Sequence, residues 1–94
     1  MTADTLRQTV TITNPQGFHM RPMAAFVEAA RLFPGCTVTV TRSGMVPVDG
    51  KSMLSLMGLV AVQGAEVLLE VSGPGAGEAL SALVHVFHRN FDEE

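Results

Sequence analysis

Between Cys36 and Thr41, apolar and polar residues alternate without a break: Cys36, Val38 and Val40 against Thr37, Thr39 and Thr41. A period of two marks a strand whose two faces meet different environments, one dry and one wet. Strands of this kind belong to an antiparallel sheet covered on one side, because parallel sheets are buried on both faces and read as continuous apolar runs. The same period recurs twice. Val10 and Ile12 alternate with Thr9, Thr11 and Thr13 in a strand expected over Leu6–Thr13, and Val67, Leu69 and Val71 alternate with Glu66 and Glu70 over Ala65–Val71. Ser43-Gly44 reads as a tight turn into a short strand over Met45–Val48, closed by Asp49-Gly50, so these two strands form a hairpin.

The segments between the strands change period. Met23, Phe26, Val27 and Ala30 fall at helical spacing within Met20–Leu32, and Phe33-Pro34-Gly35 ends that helix. Ser52 is placed to cap a short helix running through Leu56 and Met57. Leu80, Leu83, Val84, Phe87 and Phe91 form one stripe of a helix expected over Ala76–Phe91. The order is βαββαβα. It predicts an α+β fold, a four-stranded mainly antiparallel sheet with helices on one face, as a single domain over residues 1–94.

Composition removes several classes of function. The chain has 94 residues, 47% of them hydrophobic and 16% charged, which suits one compact core. A net charge of −3, with only six Lys and Arg, leaves no basic patch for nucleic acid. The longest apolar stretch, near Leu56–Val62, is far below the ~20 residues that span a bilayer, so no membrane insertion is expected. The polar start, Met1 to Gln8, gives no sign of a secretory signal, and cytoplasm is the expected compartment. Cys36 stands alone, which rules out an internal disulfide and a CxxC redox or metal site, and its place on an apolar strand face predicts a buried, inert thiol. His85 and His88 stand three apart on the last helix without an evident third ligand, so they are read as surface residues; neither a metal nor a cofactor is expected.

The chemistry concentrates in six residues, Gly17-Phe18-His19-Met20-Arg21-Pro22. Asn14-Pro15-Gln16-Gly17 breaks the first strand, and Pro22 fits the first turn of a helix, where its missing N–H was unpaired anyway. His19 therefore stands at or beside the N-cap, its ring near free amide donors and the positive end of the helix. Such a helix end binds anions, and Arg21 can hold two phosphate oxygens in its fork. Imidazole nitrogen attacks phosphorus readily and also leaves readily, whereas a serine phosphoester would be a dead end. These properties suit a site that takes up a phosphoryl group and gives it away.

The Gly17–Pro22 motif resembles the Gly-x-His-x-Arg-Pro site of the HPr family, the histidine phosphocarriers of the bacterial phosphoenolpyruvate-dependent phosphotransferase system. Gly50-Lys51-Ser52-Met53-Leu54-Ser55-Leu56-Met57 is similar to the family's second motif, around a serine that a dedicated kinase modifies in some members. The separation of the motifs and the order of elements also match, so the resemblance spans essentially the whole chain. It implies an open-faced sandwich of four antiparallel strands and three helices. It further implies that His19 is phosphorylated by enzyme I and discharged to an acceptor protein, that Arg21 contacts the phosphate, and that Ser52 is a candidate for regulation by a serine kinase/phosphorylase. The protein would be a carrier rather than an enzyme, and a monomer. Partners would dock on an apolar surface including Met20, Ala24, Met53, Leu54 and Met57. Met20 and Met23 stand where small residues are commoner in the family, and both are expected beside that surface. A rival reading is a regulatory binding protein of the same fold, controlled through phosphorylation of Ser52.

Overall fold

The computed structural model describes residues 5–88. The elements follow in the order β1 (Leu6–Thr11), α1 (Met20–Ala30), β2 (Thr37–Arg42), β3 (Val48–Asp49), α2 (Met53–Met57), β4 (Glu66–Ser72) and α3 (Ala76–His88). The four strands form one antiparallel sheet in the spatial order β1-β4-β2-β3, and the three helices lie on one of its faces. This is the α+β open-faced arrangement that the alternating strands predict.

Register follows from the apolar alternation, because a slip of one residue would turn every valine outward. Val10 faces Val67 across β1 and β4, while Val38 faces Val71 and Val40 faces Leu69 across β2 and β4. All six are buried and meet Phe26, Leu56, Leu83 and Phe87 from the helices. On the opposite face, Arg7 and Glu70 form an exposed ion pair at 3.1 Å. Thr37 is exposed, and Thr39 and Thr41 are half-buried.

Phe18, Phe26 and Phe87 pack as an aromatic trio with ring centroids 5.7–5.9 Å apart. Edge-to-face pairs at this distance add to the burial of large rings. The trio anchors the residue directly before His19 in the core, so the site loop hangs from buried aromatic packing.

Among the described residues, three boundaries differ from expectation by more than one residue. The second strand of the hairpin is Val48–Asp49, not Met45–Val48. Pairing of Val40 with Val48 and Thr39 with Asp49 leaves residues 43–47 as a broad loop, in which Met45 and Val46 are exposed. Pro47 has no N–H for the ladder, which stops the pairing at its outer end. β1 ends at Thr11 because Ile12 pairs with the connection before β4 instead, donating to Ala65 O at 2.9 Å and accepting from Gly64 N at 2.8 Å. α1 ends at Ala30, and Arg31 to Phe33 close it in tighter turns. Phe91, expected on the stripe of the last helix, lies outside the described residues.

Candidate functional site

His19 is the N-cap of α1, with extended backbone (φ −97°, ψ −165°) and no side-chain capping bond. Its carbonyl accepts the first helical hydrogen bond, from Met23 N at 2.9 Å. Pro22 is buried in the first turn, as its fixed φ allows. The Nε2 atom of His19 is shielded from solvent. The first turn carries no acidic residue, so the amide donors and positive end of the helix face no competing carboxylate of their own.

Two features hold the loop before His19. Asn14, only 3% exposed, donates from Nδ2 to Gly17 O at 2.6 Å, and Gly17 N donates to Asn14 O at 3.0 Å, which closes the turn on itself. Gly17 has φ +73°, and a Cβ there would stand 2.7 Å from Ala61 O and 2.9 Å from Val62 Cα. Only glycine meets both demands, left-handed backbone and close approach of another strand of chain. Phe18 N then donates to Ala61 O at 2.9 Å, tying the loop to the segment after α2. An Asn three residues before a Gly was the available signal for the turn; its partner in the 58–64 loop had none.

Arg21 is exposed, and its side chain forms no hydrogen bond or ion pair among the described residues. Its guanidinium is therefore not committed elsewhere in the fold, as a clamp for an incoming anion requires. Ser52 is the N-cap of α2, with Oγ accepting from Ser55 N at 3.1 Å. Lys51 beside it is a structural hub. Its Nζ donates to Phe33 O at 2.7 Å and Cys36 O at 2.6 Å, while its own carbonyl accepts from Arg31 at 3.1 and 3.3 Å. The lysine thus fastens the end of α1 and the start of β2 to the start of α2. Replacement by Met keeps the stem but removes the charge-assisted donors, at a cost of about 1.5–2 kcal/mol. Lys51→Met should lower the Tm by on the order of 10 °C, read by thermal unfolding.

The proposed docking residues separate into two groups. Met20 (58%), Leu54 (81%) and Met57 (48%) are exposed large apolar residues, and Ala24 is also exposed. Met53 is only half-exposed and packs against the core, where it borders a groove with Ala24, Val27, Glu28 and Arg31. Met23, beside this surface, is 6% exposed and belongs to the core, on the inner stripe of α1 with Phe26 and Val27. His85 and His88 are exposed in the last turn of α3. Cys36 is buried, and its thiol donates to Pro74 O at 3.1 Å. Among the described residues no three His, Cys, Asp or Glu converge as a metal site, and no helix is long and apolar enough to cross a membrane.

The family model for the "PTS HPr component phosphorylation site" matches residues 6–89. The chain belongs to the HPr family. Phosphocarrier protein HPr of Pseudomonas aeruginosa is 42% identical over 84 residues, covering 89% of this chain and 92% of that protein. Phosphocarrier protein NPr of Escherichia coli K12 is 32% identical over 90 residues, covering 96% and 99%. A crystal structure of HPr from Thermoanaerobacter tengcongensis has a TM-score of 0.88 at 35% identity, covering 95% of this chain and 98% of that one; another from that organism is described as an HPr dimer. HPr proteins are phosphocarriers of the phosphotransferase system rather than enzymes, and that general role holds for this member.

Proposed function

We propose that His19 takes a phosphoryl group from phospho-enzyme I and passes it to an acceptor protein of the phosphotransferase system. The observation that carries this is the placement of His19 at the N-cap of an 11-residue helix, two residues before an uncommitted Arg21 and with no carboxylate in the first turn. The His19 imidazole supplies the nucleophilic nitrogen. Its lone pair forms the N–P bond as the donor's bond to phosphorus breaks, and discharge is the reverse step toward the acceptor. The helix end and Arg21 favour the phosphoryl dianion, so the phosphorylated state is stabilised without being trapped. In this reading the protein works as a one-domain monomer in the cytoplasm. Incubation with enzyme I and phosphoenolpyruvate should add one phosphoryl group by intact mass, labile in acid and stable in base. A protein that gains none overturns the reading.

Ser52 supports a second, regulatory role through a serine kinase/phosphorylase, because it sits between Lys51 and the exposed Leu54 and Met57. Ser52→Asp retains a good N-cap, so the Tm should stay level or rise. A charge at the edge of an apolar contact surface must be desolvated on docking. The apparent KM for enzyme I should rise about tenfold, or ~1.4 kcal/mol, with the acid-labile product unchanged. Equal kinetics for variant and wild type would remove Ser52 from any switch.

A further inference from the structure

Arg42 ends β2 at an inward-facing register. It continues the alternation of Val38 and Val40, and it pairs with Val67, a fully buried residue that also pairs with Val10. A guanidinium is out of place on that apolar face. Its Nε is shielded from solvent without a hydrogen-bond partner, and no carboxylate pairs with it among the described residues. An unmatched donor on a charged group is costly, so the side chain needs an anchor at its tip. Its one side-chain hydrogen bond among those residues runs from Nη1 to Val60 O at 3.3 Å.

Val60 is the only residue other than glycine among those described to have a positive φ, +48°. For a β-branched side chain this left-handed conformation is an outlier, because Cβ crowds the following carbonyl. Burial does not hold it there, since Val60 is 68% exposed. The bond from Arg42 does: it fixes the plane of the peptide joining Val60 to Ala61, which a relaxing Val60 would turn.

The next carbonyl carries the effect to the site. Ala61 O accepts from Phe18 N at 2.9 Å, and Gly17 approaches Ala61 O and Val62 too closely for a Cβ. The rest of the 60–65 strap bonds to the same loop, through Gln63 Nε2 to Thr13 O at 3.0 Å and Gly64 N to Ile12 O at 2.8 Å. The Phe18 ring, packed on Phe26 and Phe87, fixes where the loop lies. The bond at Phe18 N fixes how the peptide just before His19 is turned.

We propose that Arg42 is a positioning residue for phosphotransfer. Its bond to Val60 O holds the left-handed link, and through Ala61 O and Phe18 N it sets the orientation from which His19 takes up and releases the phosphoryl group. The proposal rests on the phosphocarrier reading above. Strain at an exposed position is then matched to the geometry of the reacting group. Small misplacements of a nucleophile cost rate steeply even where docking is intact.

Arg42→Met keeps an apolar stem and removes the donor. Charging by enzyme I and discharge to the acceptor should both lose about tenfold in kcat, with each KM within twofold of wild type. By NMR, amide exchange at Phe18 should quicken in this variant by a larger factor than exchange at Leu69 in the middle of the sheet. A second variant tests the strained link itself. Glycine adopts left-handed backbone freely, so Arg42→Met combined with Val60→Gly should regain most of the lost kcat. A merely structural Arg42 would lower the Tm while leaving the kcat of the folded protein and the relative exchange at Phe18 as in wild type. A kcat within twofold of wild type in both directions, a loss confined to KM, or no recovery in the double variant overturns the proposal and leaves His19 as the phosphorylated residue. A wild type that enzyme I does not charge overturns the phosphocarrier reading and this inference with it.

Discussion

His19→Ala should abolish phosphorylation by enzyme I and phosphoenolpyruvate, while His85→Ala and His88→Ala are charged as wild type. The chain has three histidines, and electrostatics singles out one of them. His19 stands at the N-terminus of α1, where amide donors and the helix dipole favour an incoming anion. His85 and His88 lie in the last turn of α3, where carbonyl oxygens and the negative end of the dipole oppose it. A phosphoryl group with about two negative charges at neutral pH amplifies that difference. His19→Asn serves as the control for folding, because asparagine is a favoured N-cap. It should keep the wild-type circular dichroism spectrum and accept no label. Acid-labile phosphate persisting in both variants would move the site away from His19.

How much of this could be read from the chain alone depends on the range of the interaction concerned. The inner faces of β2 and β4 were legible because Val38, Val40, Val67, Leu69 and Val71 carry a local period that only one register can bury. The two N-caps were legible for a similar reason, since Pro22 and Ser52 act within one helical turn. Met45–Val48 misled because β-forming side chains promise a strand, whereas Pro47 and the pairing of Val40 with Val48 decide where one can form. Met23 was legible for the same reason as the strand faces, since its place on the helical stripe with Phe26 and Val27 sends it into the core. The long-range connections had no local signature. Lys51 reaches carbonyls 15 and 18 residues away, and Phe18 meets Ala61 across the molecule. The left-handed backbone of Val60 is a product of such connections, since nothing in its own side chain favours it.

Arg21→Ala should slow phosphotransfer between enzyme I, this protein and its acceptor by tenfold to a hundredfold in at least one direction, with the Tm little changed. Its side chain is exposed and makes no hydrogen bond among the described residues, so the fold has nothing to lose. The loss falls on the phosphoryl group, where a charge-assisted hydrogen bond contributes about 1.5–3 kcal/mol. At ~1.36 kcal/mol per tenfold in rate, that range sets the expected slowing. Arg21→Lys should recover only part of it, because an ammonium meets one oxygen at a time while a guanidinium spans two. The comparison of the two variants separates charge from geometry: equal rates for lysine and arginine would mean that charge alone suffices. Rapid-quench measurement with purified donor and acceptor reads each direction separately. Unchanged rates in both directions for Arg21→Ala would leave the helix terminus as the phosphate's sole electrostatic support and overturn the clamp.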